Sequence, residues 1–156
     1  MKKVLLLCVF LLTFQFASSQ TSAIKANPLG LAFGIANVGY EFSTSDSQSL
    51  TISGQYFDIL DIKGAGAGLE YRFYFDQEAI TGWHAGPSIG YFKLEDIFDV
   101  SASVFSISAE IGHQWVFGEH FLLDVFGGYG FYTGGDDLSG FNTSGGMFGL
   151  SLGYAW

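Results

Sequence analysis

The last ten residues alternate without a break: Met147-Phe148-Gly149-Leu150-Ser151-Leu152-Gly153-Tyr154-Ala155-Trp156. Every even position is large and apolar, and the odd positions are mostly small. An extended chain sends successive side chains to opposite faces, so this segment has one bulky apolar face and one face of Gly, Ser and Ala. A soluble sandwich also alternates, but its apolar face is buried and charge covers the other. Here the second face carries hardly a charge.

The same pattern recurs upstream. Leu50, Ile52 and Tyr56 alternate with Thr51, Ser53 and Gln55, and Leu69, Tyr71, Phe73 and Phe75 with Gly68, Glu70, Arg72 and Tyr74. Phe105, Ile107, Ala109 and Ile111 alternate with Ser106, Ser108, Glu110 and Gly112, while Phe121, Leu123, Val125, Tyr129 and Phe131 oppose Asp124, Gly128 and Gly130. An apolar outside around a small, polar inside is the inverse of a soluble domain and fits a transmembrane β-barrel. Composition agrees: 49% of residues are apolar and only 13% charged, against about 25% charged in soluble domains.

Residues 1–19 read as a cleaved signal peptide. Lys2 and Lys3 form a basic start, Val4 to Phe16 an apolar core, and Ala17-Ser18-Ser19 the small residues that precede cleavage before Gln20. Cys8, the single cysteine, falls inside this segment, so residues 20–156 carry no thiol chemistry. They retain four basic residues, Lys25, Lys63, Arg72 and Lys93, against all 15 acidic ones, a formal charge of −11. That balance argues against a nucleic-acid partner. Beyond residue 19 no apolar run is long enough for a helical span.

Turn chemistry sets the strand count. Ser43 to Ser47, Asp76 to Ala79 and Gly118-Glu119 read as short polar turns, each following a strand with one inward acid: Glu41, Glu70 and Glu110. The other connections fall near Gly34 to Asn37, Asp58 to Ile62, Glu95 to Asp99 and Gly134 to Ser144. Seven connections predict an all-β, eight-stranded antiparallel up-and-down transmembrane barrel over residues 20–156, with both termini at one end. Pro28 interrupts the first strand, Lys25 to Phe33, and a single long strand over residues 24–43 is the alternative. Pro87, inside the strand from Thr81 to Phe92, predicts a β-bulge.

The signal peptide, the eight strands and the ending Gly153-Tyr154-Ala155-Trp156 resemble the small outer-membrane barrels of the OmpA/OmpX/OmpW type. Asn27-Pro28-Leu29 followed by Val38-Gly39-Tyr40-Glu41-Phe42 is similar to the openings of uncharacterised small barrels of Bacteroidota. The resemblance implies location in the bacterial outer membrane, contact with its lipid and lipopolysaccharide, and a terminal aromatic signal, Tyr154 and Trp156, read by the barrel-assembly machinery. It also implies a monomer. The loops are too short for the protruding adhesive sheets of some relatives.

No catalytic constellation emerges. His84, His113 and His120 lack metal-ligand spacing, no G-x-S-x-G occurs, and Asp137 and Ser139 at the expected rim have no histidine beside them. By parity His84 points inward and His113 outward. The expectation is a protein that is no enzyme and needs no cofactor or structural metal.

The inward-facing charges are the candidate site: Glu41, Glu70, Arg72, Glu110 and Asp124, with Gln55, Gln114 and His84. Arg72 reads as the only fixed inward cation. Either these groups pack as a polar plug, or they line a narrow proton- or cation-selective path. Inward glycines, Gly66, Gly68, Gly90, Gly130 and Gly149 among them, leave room for water or for Phe92, Phe126 and Tyr132. At the outer rim, Asp58, Asp61, Glu95, Asp96, Asp99, Asp136 and Asp137 form solvated loops or a weak Ca²⁺ or Mg²⁺ site shared with lipopolysaccharide phosphates. Apolar residues in Phe57 to Ile62 and Glu95 to Val100 would cover the mouth or line an entrance for a small hydrophobic molecule, as the OmpW-like resemblance suggests. The leading expectation is a structural barrel serving envelope integrity. The alternatives are a narrow transport barrel for small hydrophobic or cationic solutes and a secreted, lipocalin-like binding barrel.

Overall fold

A computed structural model describes residues 20–59, 62–76, 78–96, 101–134 and 142–156. The expected signal peptide, residues 1–19, lies outside the described residues. Eight strands follow in order: β1 (Ser22–Ala26), β2 (Ile35–Ser45), β3 (Gln48–Ile59), β4 (Ile62–Tyr74), β5 (Gly82–Asp96), β6 (Ser101–Phe117), β7 (Phe121–Gly134) and β8 (Asn142–Ala155). Each pairs antiparallel with the next, and β8 pairs with β1, so the sheet closes into a barrel. Closure leaves no free edge along the paired lengths, which removes the usual liability of an exposed strand.

Alternation decides which way each side chain points. Along β6, Phe105, Ile107 and Ile111 are exposed on the outside, whereas Val104, Ser108 and Gln114 are buried inside. The short turns predicted at Ser43 to Ser47 and Gly118-Glu119 join β2 to β3 and β6 to β7. They lie at the end that holds both termini, here called the lower end. Gly118 takes a positive φ of 63°, a conformation that glycine adopts without a steric penalty.

Three expectations need correction. The first strand is only five residues long, because Pro28 opens a short helix, α1 (Pro28–Ala32), in place of extending it. Asn27 caps that helix, its side chain accepting from the Gly30 N–H at 3.0 Å, and proline suits the first helical position because no intrahelical N–H is needed there. The first connection therefore spans Asn27 to Gly34, and Ile35 to Asn37 belong to β2. A single strand over residues 24–43 does not form.

No bulge forms at Pro87. The β4–β5 register is the same on both sides of it, from Glu70↔Ser88 to Phe73↔Ala85. Only the pairs opposite Gly86 and Pro87 drop out of the ladder, while Pro87 still sits across from Ala109 on β6. The missing N–H is thus accommodated by a local gap, with Gly86 letting the Tyr71 carbonyl approach closer than any Cβ would permit. The register shift in the barrel lies between Ser43 and Ser45, next to a turn.

The connection between β4 and β5 is not simply a polar turn. Ala79 and Ile80 fold back into the lower mouth and are buried, Ile80 completely. Ile80 holds a positive φ of 73°, strained for a β-branched residue. The Ala79 N–H donates to the Asp46 carbonyl at 2.7 Å and the Ile80 carbonyl accepts from Gln114 Nε2 at 2.8 Å.

Candidate functional site

The lumen is built in layers, each supplied by inward positions at one height of the staggered strands. The lowest layer is apolar: Ala23, Tyr74, Ala79, Ile80, Leu122 and Ala155, with Val116 packed against them. It closes the lower end.

Directly above sits a dense ionic network. Lys25 Nζ lies 2.7 Å from Glu41 Oε2 and 3.5 Å from Asp124 Oδ2. Arg72 grips Glu70 with two donors, Nε at 2.7 Å and Nη2 at 2.8 Å, while Nη1 reaches Asp124 at 2.8 Å and Gln114 Oε1 at 3.1 Å. Glu41 also accepts from Ser49 and from the Tyr74 hydroxyl, both at 2.5 Å. His84 Nε2 stands 3.0 Å from Asp124 Oδ1, so a proton on that nitrogen donates to the carboxylate and leaves Nδ1 an acceptor without a partner among the described residues. Buried charges survive only when paired and hydrogen-bonded, and Glu41, Arg72 and Asp124 meet that condition from several strands at once.

The structure brings Glu41, Glu70, Arg72 and Asp124 together with Gln114 and His84, and Gln55 lines the cavity above, but parity missed one residue that changes the charge balance. Lys25 is a second inward cation, 5% exposed, so Arg72 does not stand alone. The signal was present in Ala23-Ile24-Lys25, where Ile24 is outward and its neighbours are buried. The break at Pro28 hid it.

Glu110 behaves differently from the rest. It belongs to the next layer, where Ser88 Oγ donates to it at 2.6 Å and Ser108 Oγ lies 2.5 Å from Ser88 Oγ. No cation pairs with it among the described residues. Above this layer the lumen opens into a cavity of about 560 Å³. Lys25, Glu70, Arg72 and Glu110 form its floor, and Thr51, Ser53, Ser88, Ser106, Ser108 and Ser151 line its middle. Phe57, Ile59, Phe92, Leu94, Val104 and Tyr132 line its upper part.

Glycines and aromatics share out the remaining space. The Phe92 ring covers Gly66 and Gly90, and the Phe126 ring covers Gly149, so a side chain at any of these glycines would collide with the ring opposite. Bulky groups fill the places that the small inward residues leave.

The proposed rim charges fare less evenly. Asp58 and Lys63, both well exposed, approach to 3.8 Å across β3 and β4, and Glu95 is exposed on β5. Asp61, Asp99, Asp136 and Asp137 lie outside the described residues, as does the side chain of Asp96. On the outer face of the lower end, Tyr154 stacks on His120 at 4.6 Å, and Trp156 lies 6.1 Å from both Tyr40 and Tyr154. The Trp156 carbonyl accepts from Thr21 and Ser22 and its N–H donates to the Ser22 carbonyl, so the last residue fastens β8 to the start of β1.

A family model described as "Protein of unknown function (DUF3575)" matches residues 4–145. No curated protein sequence matches the chain. Among solved structures, the chain is similar to the N-terminal β-barrel domain of Pseudomonas aeruginosa OprF, with a TM-score of 0.61 and 14% identity. That likeness covers 88% of this chain and 98% of the other, and at this identity it is a likeness of fold.

Proposed function

The chain belongs to a family of unknown function, DUF3575, and from its own barrel we propose an outer-membrane protein that serves the envelope structurally and conducts no ions. The observation that carries this reading is the outer surface. Between Lys63, Lys93, Asp58 and Glu95 near one end and the turn acids Asp46, Asp76 and Glu119 at the other, the outward positions of the described strands carry no Lys, Arg, Asp or Glu. Their place is taken by large apolar groups such as Ile24, Val38, Ile52, Ile89, Ile107 and Phe148, all exposed. Exposed apolar area on this scale is stable in lipid and not in water.

The height of the belt fits a bilayer. On β5 ten residues separate Trp83 from Lys93, roughly 33 Å along the strand and about 25 Å along the membrane normal at the usual tilt. Trp83, Trp115, Phe73, Phe117 and Tyr154 gather at the lower boundary, where amphipathic rings favour the interface. No helix among the described residues is long and apolar enough to cross a membrane, so strands would do the crossing. The apolar exterior argues against a secreted lipocalin-like barrel, and the filled lower end argues against a transport path. As part of the same reading, the barrel acts as a monomer in contact with lipopolysaccharide, Trp156 belongs to the assembly signal, and no reaction is catalysed.

Two measurements test this. In planar bilayers the purified protein should show no single-channel steps, and regular steps would defeat the sealed-lumen reading. On intact cells a membrane-impermeant thiol reagent should label a cysteine placed at Glu95 and spare one placed at Ser45. Labelling at Ser45 alone would reverse the orientation, and equal labelling of an apolar-belt position such as Ile107 would refute the membrane assignment.

A further inference from the structure

Closing one end of the barrel turns the upper lumen into a blind cup, entered from the end marked by Ile59, Leu94 and Val104. Its volume, about 560 Å³, lies inside the range of small-molecule sites. Its chemistry is segregated by depth, with charged groups of both signs below, hydroxyls between and aromatic or branched apolar groups above.

The floor is unbalanced. Lys25 and Arg72 face Glu41, Glu70, Asp124 and Glu110, and the first three of these acids take up the two cations. Glu110 keeps one hydroxyl donor, Ser88, and its other carboxylate oxygen has no partner among the described residues. Glu110 is half-buried and lines the cavity, whereas the Thr51 hydroxyl, also without a hydrogen bond among the described residues, is sealed within the wall, in a residue only 6% exposed. A carboxylate oxygen that opens onto a cavity and has no protein partner can take one from water or from a ligand. An anion is unsuited to such a floor, whereas a cation would give Glu110 the ion pair it lacks.

We propose that the cup binds an amphipathic cation: a small primary amine or guanidine whose charged head reaches Glu110 and whose apolar tail lies among Phe57, Phe92, Leu94 and Val104. The Ser and Thr belt offers hydrogen bonds to the head or to the water around it. The proposal goes beyond the structural role and depends on the closed lower end, not on the membrane the barrel occupies.

Calorimetry on the barrel in lipid nanodiscs tests it, with 4-phenylbutylamine, 4-phenylbutanol and 4-phenylbutyrate as probes and empty discs as the blank. The amine should bind about tenfold tighter than the alcohol, or better, as expected for a hydrogen-bonded charge, and the carboxylate should bind weakest. Glu110→Gln should remove the advantage of the amine while sparing alcohol binding. Ser106→Phe, which fills the cup without changing charge, should abolish both. An amine bound no tighter than the alcohol, an advantage that survives Glu110→Gln, or the absence of saturable heat would each overturn the proposal. Conductance and surface labelling do not read these heats, so a failure here leaves the structural reading to its own tests.

Discussion

Arg72→Met removes the most connected side chain in the lumen while keeping much of its volume. Two hydrogen bonds to Glu70 and one each to Asp124 and Gln114 disappear, with longer contacts to His84 at 3.4 Å and Glu41 at 3.8 Å. Summing roughly 1.5–3 kcal/mol for each of the three carboxylate bonds would overshoot, because such contacts are not additive. Asp124 keeps Lys25 at 3.5 Å and His84 at 3.0 Å, so most of the loss falls on Glu70, stranded in a side-chain site only 12% exposed. Removing one partner of a buried pair costs about 3–5 kcal/mol, and that is the expected loss. Arg72→Met with Glu70→Gln should recover about 2 kcal/mol, since the orphaned charge is gone. The assay is urea unfolding of the barrel in phospholipid vesicles, followed by the fluorescence of Trp83, Trp115 and Trp156. These sit on the outer surface and report on the fold without touching the network. A single-variant loss below about 1 kcal/mol would mean that lumen water solvates Glu70, and a double variant no more stable than the single would refute the stranded-charge argument.

Two further perturbations separate the lower plug from the outer wall. Ile80→Ala should destabilise the barrel by about 2–4 kcal/mol through loss of a fully buried side chain, yet bilayer recordings should stay silent because the ionic layer above remains. An arginine at Ile107, near the middle of the apolar belt, should cost about 2–4 kcal/mol on folding into vesicles, against roughly 0–1 at Ser144 near the rim. Equal costs at the two positions would contradict the proposed depth of the belt.

Much of this molecule is legible in its sequence because a barrel wall one residue thick forces alternation to hold along every strand. Parity thus assigned Glu41, Glu70, Arg72, Glu110, Asp124, His84 and Gln114 to the lumen with no structure in view. It failed where the pattern is interrupted. Lys25 escaped notice because Pro28 obscured a five-residue strand. Ile80 was passed over because a turn residue gives no local sign that tertiary packing will draw it into the mouth. Pro87 misled in the opposite direction: a missing N–H implies an irregularity but does not say whether the ladder shifts or merely skips. The cup was legible only in part: inward glycines and the apolar Phe57 to Ile62 segment marked space and a mouth, but not the floor or the depth. Which inward residues meet across the lumen depends on strand stagger, a property of the closed sheet that period-two spacing does not encode.

The shortness of β1 bears on how the cylinder is fastened. Only four residue pairs, Ala23↔Ala155 to Ala26↔Leu152, join the first strand to the last, helped by the backbone bonds of Trp156 to Thr21 and Ser22. Above Leu152, β8 pairs with β7 alone, and α1 lies beside it where a longer β1 would have run. This clasp ties a ring of more than a hundred residues, and bringing its ends together carries an entropic penalty of about 4 kcal/mol from the logarithmic length dependence alone. So few pairs overcome that penalty only once the other seven ladders have brought the two ends close. The clasp should therefore be the last part of the wall to form and the first to part, and amide hydrogen exchange should be faster at Lys25 and Gly153 than at Ile107 and Ser108 in the middle of the β5–β6 ladder.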